Sequence, residues 1–150
     1  MFEVREVEKE EVVWLRHQVL RPHQRIEDCI YDIDEEEATF HVGAYHQGKL
    51  VSVASFNLER LDDFQESLQY RLRAMATLEQ FRRLGAGRQI VEYAQVEIEK
   101  RGGTLLWCKG RTSVTGYYER LGFRTHGEEF DYPPIGMHVI LFKRLDSYTE

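Results

Sequence analysis

The segment Gln80-Phe81-Arg82-Arg83-Leu84-Gly85-Ala86-Gly87-Arg88 joins a stretch that alternates like a strand to a run with helical periodicity. The first turn of a helix has backbone N–H groups without internal acceptors, and its dipole favours negative charge, so a pyrophosphate can dock there. Glycines at Gly85 and Gly87 let such a ligand approach the main chain closely. Arg82, Arg83 and Arg88 add fixed positive charge in a chain whose formal net charge is −6, and guanidinium suits phosphate oxygens. A solvated basic helix end also accounts for the arginines, and Gly-x-Gly also opens dinucleotide-binding turns. Neither nucleotide fingerprint fits, because the lysine of a Gly-x-x-x-x-Gly-Lys-Ser/Thr loop is missing and so is a third glycine at Rossmann spacing.

The elements that must position this turn are legible as patterns. Ile90, Val91, Ala94 and Ile98 form the apolar stripe of a helix that ends at Gly102-Gly103,. Upstream, Leu68 to Leu78 alternates Tyr70, Leu72, Ala74 and Ala76 with Arg71, Arg73, Met75 and Thr77, which predicts a strand with unlike faces,. Phe40, Val42 and Ala44 alternate with His41 and Gly43, and Gln47-Gly48 separates them from Leu50 to Phe56 in a hairpin signal,. Phe2, Val4 and Val7 suit an edge strand, and Val12, Val13, Leu15, Val19 and Leu20 a helix broken at Pro22,. The acidic run Asp32, Asp34, Glu35, Glu36, Glu37 has no basic counterpart nearby and is expected to be a solvated connector,. Downstream, Thr104 to Cys108 predicts a buried strand, Ser113 to Arg120 a short helix closed by Gly122, and Phe123 onward and Val139 to Phe142 further strands,. With 150 residues, 42% of them hydrophobic, and no internal repeat, the expectation is one domain over residues 1–150 of mixed α/β class.

Two motifs carry a resemblance. Arg82, Gly85 and Gly87 match the Gln/Arg-x-x-Gly-x-Gly/Ala motif of the GNAT superfamily of N-acetyltransferases, and Tyr117-Tyr118-Glu119-Arg120-Leu121-Gly122-Phe123 is similar to its Phe-Tyr-Glu-Lys-Leu-Gly-Phe signature. They occur in the family's order, the second at the expected distance after the strand Leu105 to Cys108. The resemblance implies a mostly antiparallel sheet whose two central parallel strands splay apart, with acetyl-coenzyme A as cosubstrate in the cleft. Pantetheine would pair with backbone at Met75, Ala76 and Thr77, and the pyrophosphate would rest on Leu84, Gly85, Ala86, Gly87 and Arg88, beside Arg82 and Arg83. Tyr118 would protonate the departing thiolate; without the resemblance it reads as a packed aromatic. Arg111-Thr112-Ser113 stands where many members carry an asparagine that reaches pantetheine. The implied reaction is acetyl transfer to an amine by direct attack in a ternary complex, the alternative being a noncatalytic coenzyme A-binding or protein-interaction module.

An amine attacks only when unprotonated, so a base or water chain is required. His41, Glu79, Asp131 and His138 are candidates by residue type. His138 follows Asp131-Tyr132-Pro133-Pro134-Ile135-Gly136, a segment suited to a substrate rim, and Arg71 and Arg73 share a strand face that could bind an acceptor carboxylate or pair with Glu59 or Asp62,. The acceptor is expected to be a small-molecule or peptide amine, and a homodimer is left open.

The remaining composition excludes other classes. His17, His23, His46 and His126 fall at no ligand spacing, so no catalytic metal is expected,. Cys29 and Cys108 belong to no Cys-x-x-Cys pair and are expected to be free buried thiols. The acidic balance argues against nucleic acid. No apolar run approaches the roughly 20 residues of a membrane span, and the N-terminus lacks a signal-peptide pattern, so no membrane partner and a cytoplasmic location are expected.

Overall fold

A computed structural model describes residues 2–145. Seven strands, β1 (Glu3–Val7), β2 (Phe40–His46), β3 (Lys49–Leu58), β4 (Gln69–Thr77), β5 (Leu105–Arg111), β6 (Arg124–Tyr132) and β7 (Gly136–Arg144), form one sheet in the order β1-β2-β3-β4-β5-β7-β6. Every neighbouring pair is antiparallel except β4 and β5. Parallel neighbours require a crossover, which is supplied by helix α2 (Ala86–Lys100),. Two further helices are α1 (Lys9–Val19) and α3 (Thr115–Arg120).

Each sheet face is covered in part by the apolar stripe of one helix. Ile90, Val91, Ala94 and Ile98 of α2 pack against Phe40, Val42, Phe56, Tyr70, Leu72, Leu106 and Leu141. On the other face, Val12 and Leu15 of α1 meet Val7, Tyr45, Val53 and Ala76. The start of α1 is held by the Glu11 carboxylate, which accepts from the Glu8 N–H at 3.2 Å,. The end of α2 is closed by Gly102, whose φ of +88° is the left-handed conformation, and by the Gly103 N–H donating to the Ile98 carbonyl at 2.9 Å,. Among the described residues no helix is long and apolar enough to cross a membrane.

The strict alternation expected along Leu68 to Leu78 holds only as far as Arg73. Ser55 pairs with Arg73 and Val53 with Ala76, so β4 carries one residue more than β3 between these pairs. The extra residue is accommodated at Ala74, whose φ is +56°, a β-bulge that resets the phase. Ala76 consequently joins the α1 core, while Met75 packs on the α2 side with Tyr117.

The acidic run departs from the solvated connector that its composition suggests. Within it, the 3₁₀ turn Asp32–Glu35 buries Ile33 and Asp34. Arg16 donates to both Asp34 carboxylate oxygens, at 2.7 and 3.0 Å, and both side chains are fully buried. Ser55 Oγ and the Cys29 carbonyl accept further hydrogen bonds from Arg16 at 2.8 and 2.9 Å. A buried charge persists only with such partners. Burial pushes the Asp34 carboxyl up, but donation from Arg16 and from the Tyr31 N–H outweighs it and leaves the group below the usual carboxylate range.

Candidate active site

Backbone pairing between β4 and β5 runs from Gln69↔Leu105 to Arg71↔Trp107 and stops. Beyond that point the strands diverge, so the edge of β4 from Leu72 to Thr77 that faces β5 has no strand partner. A cavity of about 650 Å³ opens there on the α2 side, lined by Met75, Ala76 and Thr77 of β4, Arg82 and Arg83, Gly85 to Arg88, and Tyr117, Tyr118 and Arg120. One wall is thus an unpaired strand edge and another is the N-terminus of a helix.

The turn into α2 uses two left-handed residues, Arg83 at φ +67° and Gly85 at φ +93°. Gly85 is the N-cap and offers no side-chain hydrogen bond, so the first N–H groups of α2 remain free to bind an acceptor,. A Cβ on Gly87 would overlap the Tyr117 hydroxyl, which itself donates to Met75 Sδ at 3.1 Å. Arg82 Nε donates to the Thr77 carbonyl at 3.2 Å, and Arg88 Nη2 to the Arg120 carbonyl at 3.1 Å. These bonds tie the basic turn to β4 and to α3. Leu84 is exposed and does not line the cavity.

Tyr118 reaches the cavity because β5 carries a glycine beneath it. A Cβ on Gly110 would meet Tyr118 Cε2 at 3.2 Å and Leu141 Cδ1 at 2.7 Å. The ring also packs edge-on against Tyr117 and Phe123, with centroids 5.2 and 5.7 Å away. Burial, reinforced by Cys108 and Tyr117, raises the Tyr118 pKa well above that of a free phenol. Cys108 is fully buried, its pKa pushed up to about 12. Both cysteines are free and buried.

The other candidates lie on the opposite face or outside the cavity. Arg71 and Arg73 pair across β3 with Asn57 and Ser55 on the α1 face. Arg71 is buried, bonds the Glu59 carboxylate at 3.2 and 3.4 Å, and lies over the Trp107 ring. His138 shares this face; its Nδ1 donates to the Gly136 carbonyl at 2.8 Å, which leaves Nε2 as the accepting nitrogen of the neutral ring,. His41 is locked elsewhere, with Nδ1 2.7 Å from Ser55 Oγ and Nε2 3.8 Å from Asp34. Glu79 is an exposed residue of a 3₁₀ turn, and Asp131 is exposed on the edge strand between Phe130 and Tyr132, which point the other way,.

Several lining residues escape the sequence reading. Val19 and Leu20 at the end of α1, Phe81, Val114, Tyr117, Arg120 and Leu121 all border the cavity. Tyr117 and Arg120 fall inside the aromatic motif and were within reach; Val19 and Leu20 carry no local signal beyond helical periodicity.

A splayed parallel pair with a glycine-arginine helix start on one wall and a tyrosine on another is the arrangement that the sequence resemblance implies for an acetyltransferase. The acetyltransferase (GNAT) domain matches residues 4–135. The chain is 41% identical over 145 residues to the uncharacterized N-acetyltransferase YitI of Bacillus subtilis (strain 168), covering 97% of each protein. The chain belongs to the GNAT acetyltransferase family and is an N-acetyltransferase. Its fold is shared with the ribosomal-protein-S18-alanine N-acetyltransferase of Escherichia coli, at TM-score 0.73 and 19% identity over 97% of this chain and 94% of the other. It is likewise shared with an aminoglycoside 6'-N-acetyltransferase complexed with coenzyme A, at TM-score 0.70 and 14% identity over 95% and 97%.

Proposed function

We propose that this chain, as a single cytoplasmic domain, binds acetyl-coenzyme A in the cavity between β4 and β5 and passes the acetyl group to an amine arriving from the α1 face. The observation that carries this reading is the convergence of an unpaired β4 edge, the free N–H groups of α2 and the Tyr118 ring on one cavity. Its two unpaired thiols suit a reducing compartment,.

The pantetheine arm, which carries amide groups, would pair along Met75, Ala76 and Thr77 as an added strand pairs with a sheet edge. The pyrophosphate would accept from the backbone N–H groups at Gly85 to Arg88, with Arg82, Arg83 and Arg120 supplying charge around them. The neutral amine nitrogen attacks the thioester carbonyl carbon, so an N–C bond forms, and the C–S bond breaks as the tetrahedral intermediate collapses. Backbone donors from the free β4 edge would stabilise the oxyanion. The sulfur leaves with the electron pair and takes a proton from Tyr118, while the amine's proton goes to a base or water. Among the four candidates, His138 presents an accepting nitrogen on the acceptor face,. No covalent acyl-enzyme is needed, in keeping with a Cys108 thiol held protonated,.

The test is Gly87→Val, with Gly87→Ala as a milder step. The added Cβ would displace the Tyr117 hydroxyl and crowd the phosphate site, so coenzyme A affinity should fall about tenfold or more in titration calorimetry. Unchanged affinity in a folded Gly87→Val protein would remove the pyrophosphate from this turn.

A further inference from the structure

The face of the sheet opposite the cavity carries a second group of cations that the phosphate site does not use. Arg71 and Arg73 of β4 and Lys109 of β5 lie on the α1 face, while Arg82, Arg83, Arg88 and Arg120 surround the cavity on the α2 side. The sheet stands between the two groups, so one pyrophosphate cannot satisfy both.

Among the described residues, Glu59 is the one carboxylate within ion-pair distance of any of the three α1-face cations, and it is engaged by Arg71. Arg71 keeps a buried Nε without a hydrogen-bond partner, and the Oδ1 of its cross-strand neighbour Asn57 is likewise unpaired. Arg73 is half-buried and forms no ion pair or side-chain hydrogen bond among the described residues. Burial and the neighbouring Arg71 charge both press its pKa downward, as expected where like charges are held together. Lys109 Nζ lies 5.1 Å from the centre of the Tyr132 ring. The Arg71 guanidinium, close to the Tyr132 hydroxyl, holds that phenol below its usual range. Tyr132 and His138 stack edge to face at 5.0 Å on the β6–β7 side of this cluster. A chain with net charge −6 thus gathers cations on the face from which the proposed function brings the amine, and leaves one arginine fork without an anion.

We propose that the acceptor is a small amino carboxylate, an amino acid or close analogue, whose carboxylate is bound by the Arg73 guanidinium with Lys109 nearby while its amine reaches the thioester. A guanidinium makes paired hydrogen bonds to a carboxylate in a fixed fork, which would hold the acceptor in one orientation. A cationic acceptor such as a polyamine would meet repulsion from the same groups. This inference rests on the reading of the cavity as the acetyl-coenzyme A site.

The experiment measures thiol release from acetyl-coenzyme A with the proteinogenic amino acids and 4-aminobutyrate, each beside its carboxamide, on the wild type, Arg73→Met and Arg73→Lys. Coenzyme A titration of every variant reports whether the fold is retained. The best wild-type acceptor should carry a free carboxylate and lose about tenfold or more in kcat/KM as its carboxamide. Arg73→Met should bring that ratio to parity, and Arg73→Lys should keep part of it because the charge survives and the fork does not. An amide used as well as its acid, or a ratio that survives Arg73→Met, would overturn the proposal. Absence of turnover with every amino carboxylate while coenzyme A still binds would overturn it as well and leave the cosubstrate site standing. Failure to bind coenzyme A would instead overturn the reading on which it rests.

Discussion

The partly buried Tyr118 hydroxyl lies near the fully buried Cys108 thiol, and desolvation acts on both in the same direction with opposite chemical meaning. A thiol held protonated is a poor nucleophile, so Cys108 serves packing in the core with Leu106 and Leu141. A phenol held protonated keeps a proton to offer a leaving sulfur, but the raised pKa also makes it the weaker acid, which puts its contribution at the low end of general acid catalysis,. Tyr118→Phe keeps the packing against Phe123 and Gly110 and removes only the donor. General acid catalysis contributes about a hundredfold to ten-thousandfold, and a thiolate leaves fairly well unaided because thiol pKa values lie near about 8.5. The expected result is therefore a fall in kcat at the lower end, about a hundredfold, with little change in coenzyme A affinity. Wild-type kcat in Tyr118→Phe, measured where chemistry is rate-limiting, would return the residue to a packing role.

Elements meet in the network that joins α1, the Asp32–Glu35 turn, β2 and β3 through Arg16, Asp34, His41 and Ser55. Burial, helped by the Arg16 charge, holds the His41 imidazole below its usual value against the pull of Asp34. A depressed folded-state pKa means that the unfolded chain binds more protons between that value and about 6.5, so stability rises with pH across this interval. The melting temperature should therefore fall as pH drops below about 6.5, and His41→Gln should flatten the decline; an identical slope in the variant would show that His41 does not titrate this way. None of this network was legible locally, because Arg16 lies 18 residues upstream of Asp34. By contrast, α2 was legible from its apolar stripe at helical period, and β2 and β3 from apolar runs separated by Gln47-Gly48. The basic turn at Arg82 to Arg88 was legible for a related reason, its glycines and arginines being adjacent in sequence. The bulge was not, because an alanine carries no mark of positive φ. The α1-face cation cluster is assembled from β4, β5, β6 and β7, so its charge balance emerges only after folding.

For the whole molecule, the short pairing of β4 with β5 divides the sheet into two blocks. The block from β1 to β4 holds α1 and packs the bulk of α2, and the block from β5 to β7 holds α3. β5 is bonded to β7 along its whole length, from Leu105↔Arg144 to Arg111↔His138, whereas backbone pairing joins the blocks only at the foot of the seam. That foot is fastened by Trp107, whose Nε1 donates to the Glu59 carbonyl at 3.0 Å; the far end is spanned by side chains, Tyr117 to Met75 and Arg88 to the Arg120 carbonyl. Coenzyme A lying in the gap would act as a lacing between the blocks, touching β4 on one side and α3 on the other. A ligand at a hundred times its Kd stabilises the native state by about 2.7 kcal/mol. Hydrogen exchange should register that gain on both margins of the seam, slowing amides in Arg73 to Thr77 and in Lys109 to Arg120 together; slowing confined to Gly85 to Arg88 would show that the blocks hold without it. An opening wide enough to admit a cosubstrate is thus also the line along which this sheet would first come apart, and the enzyme at work would be mechanically firmer than the enzyme at rest.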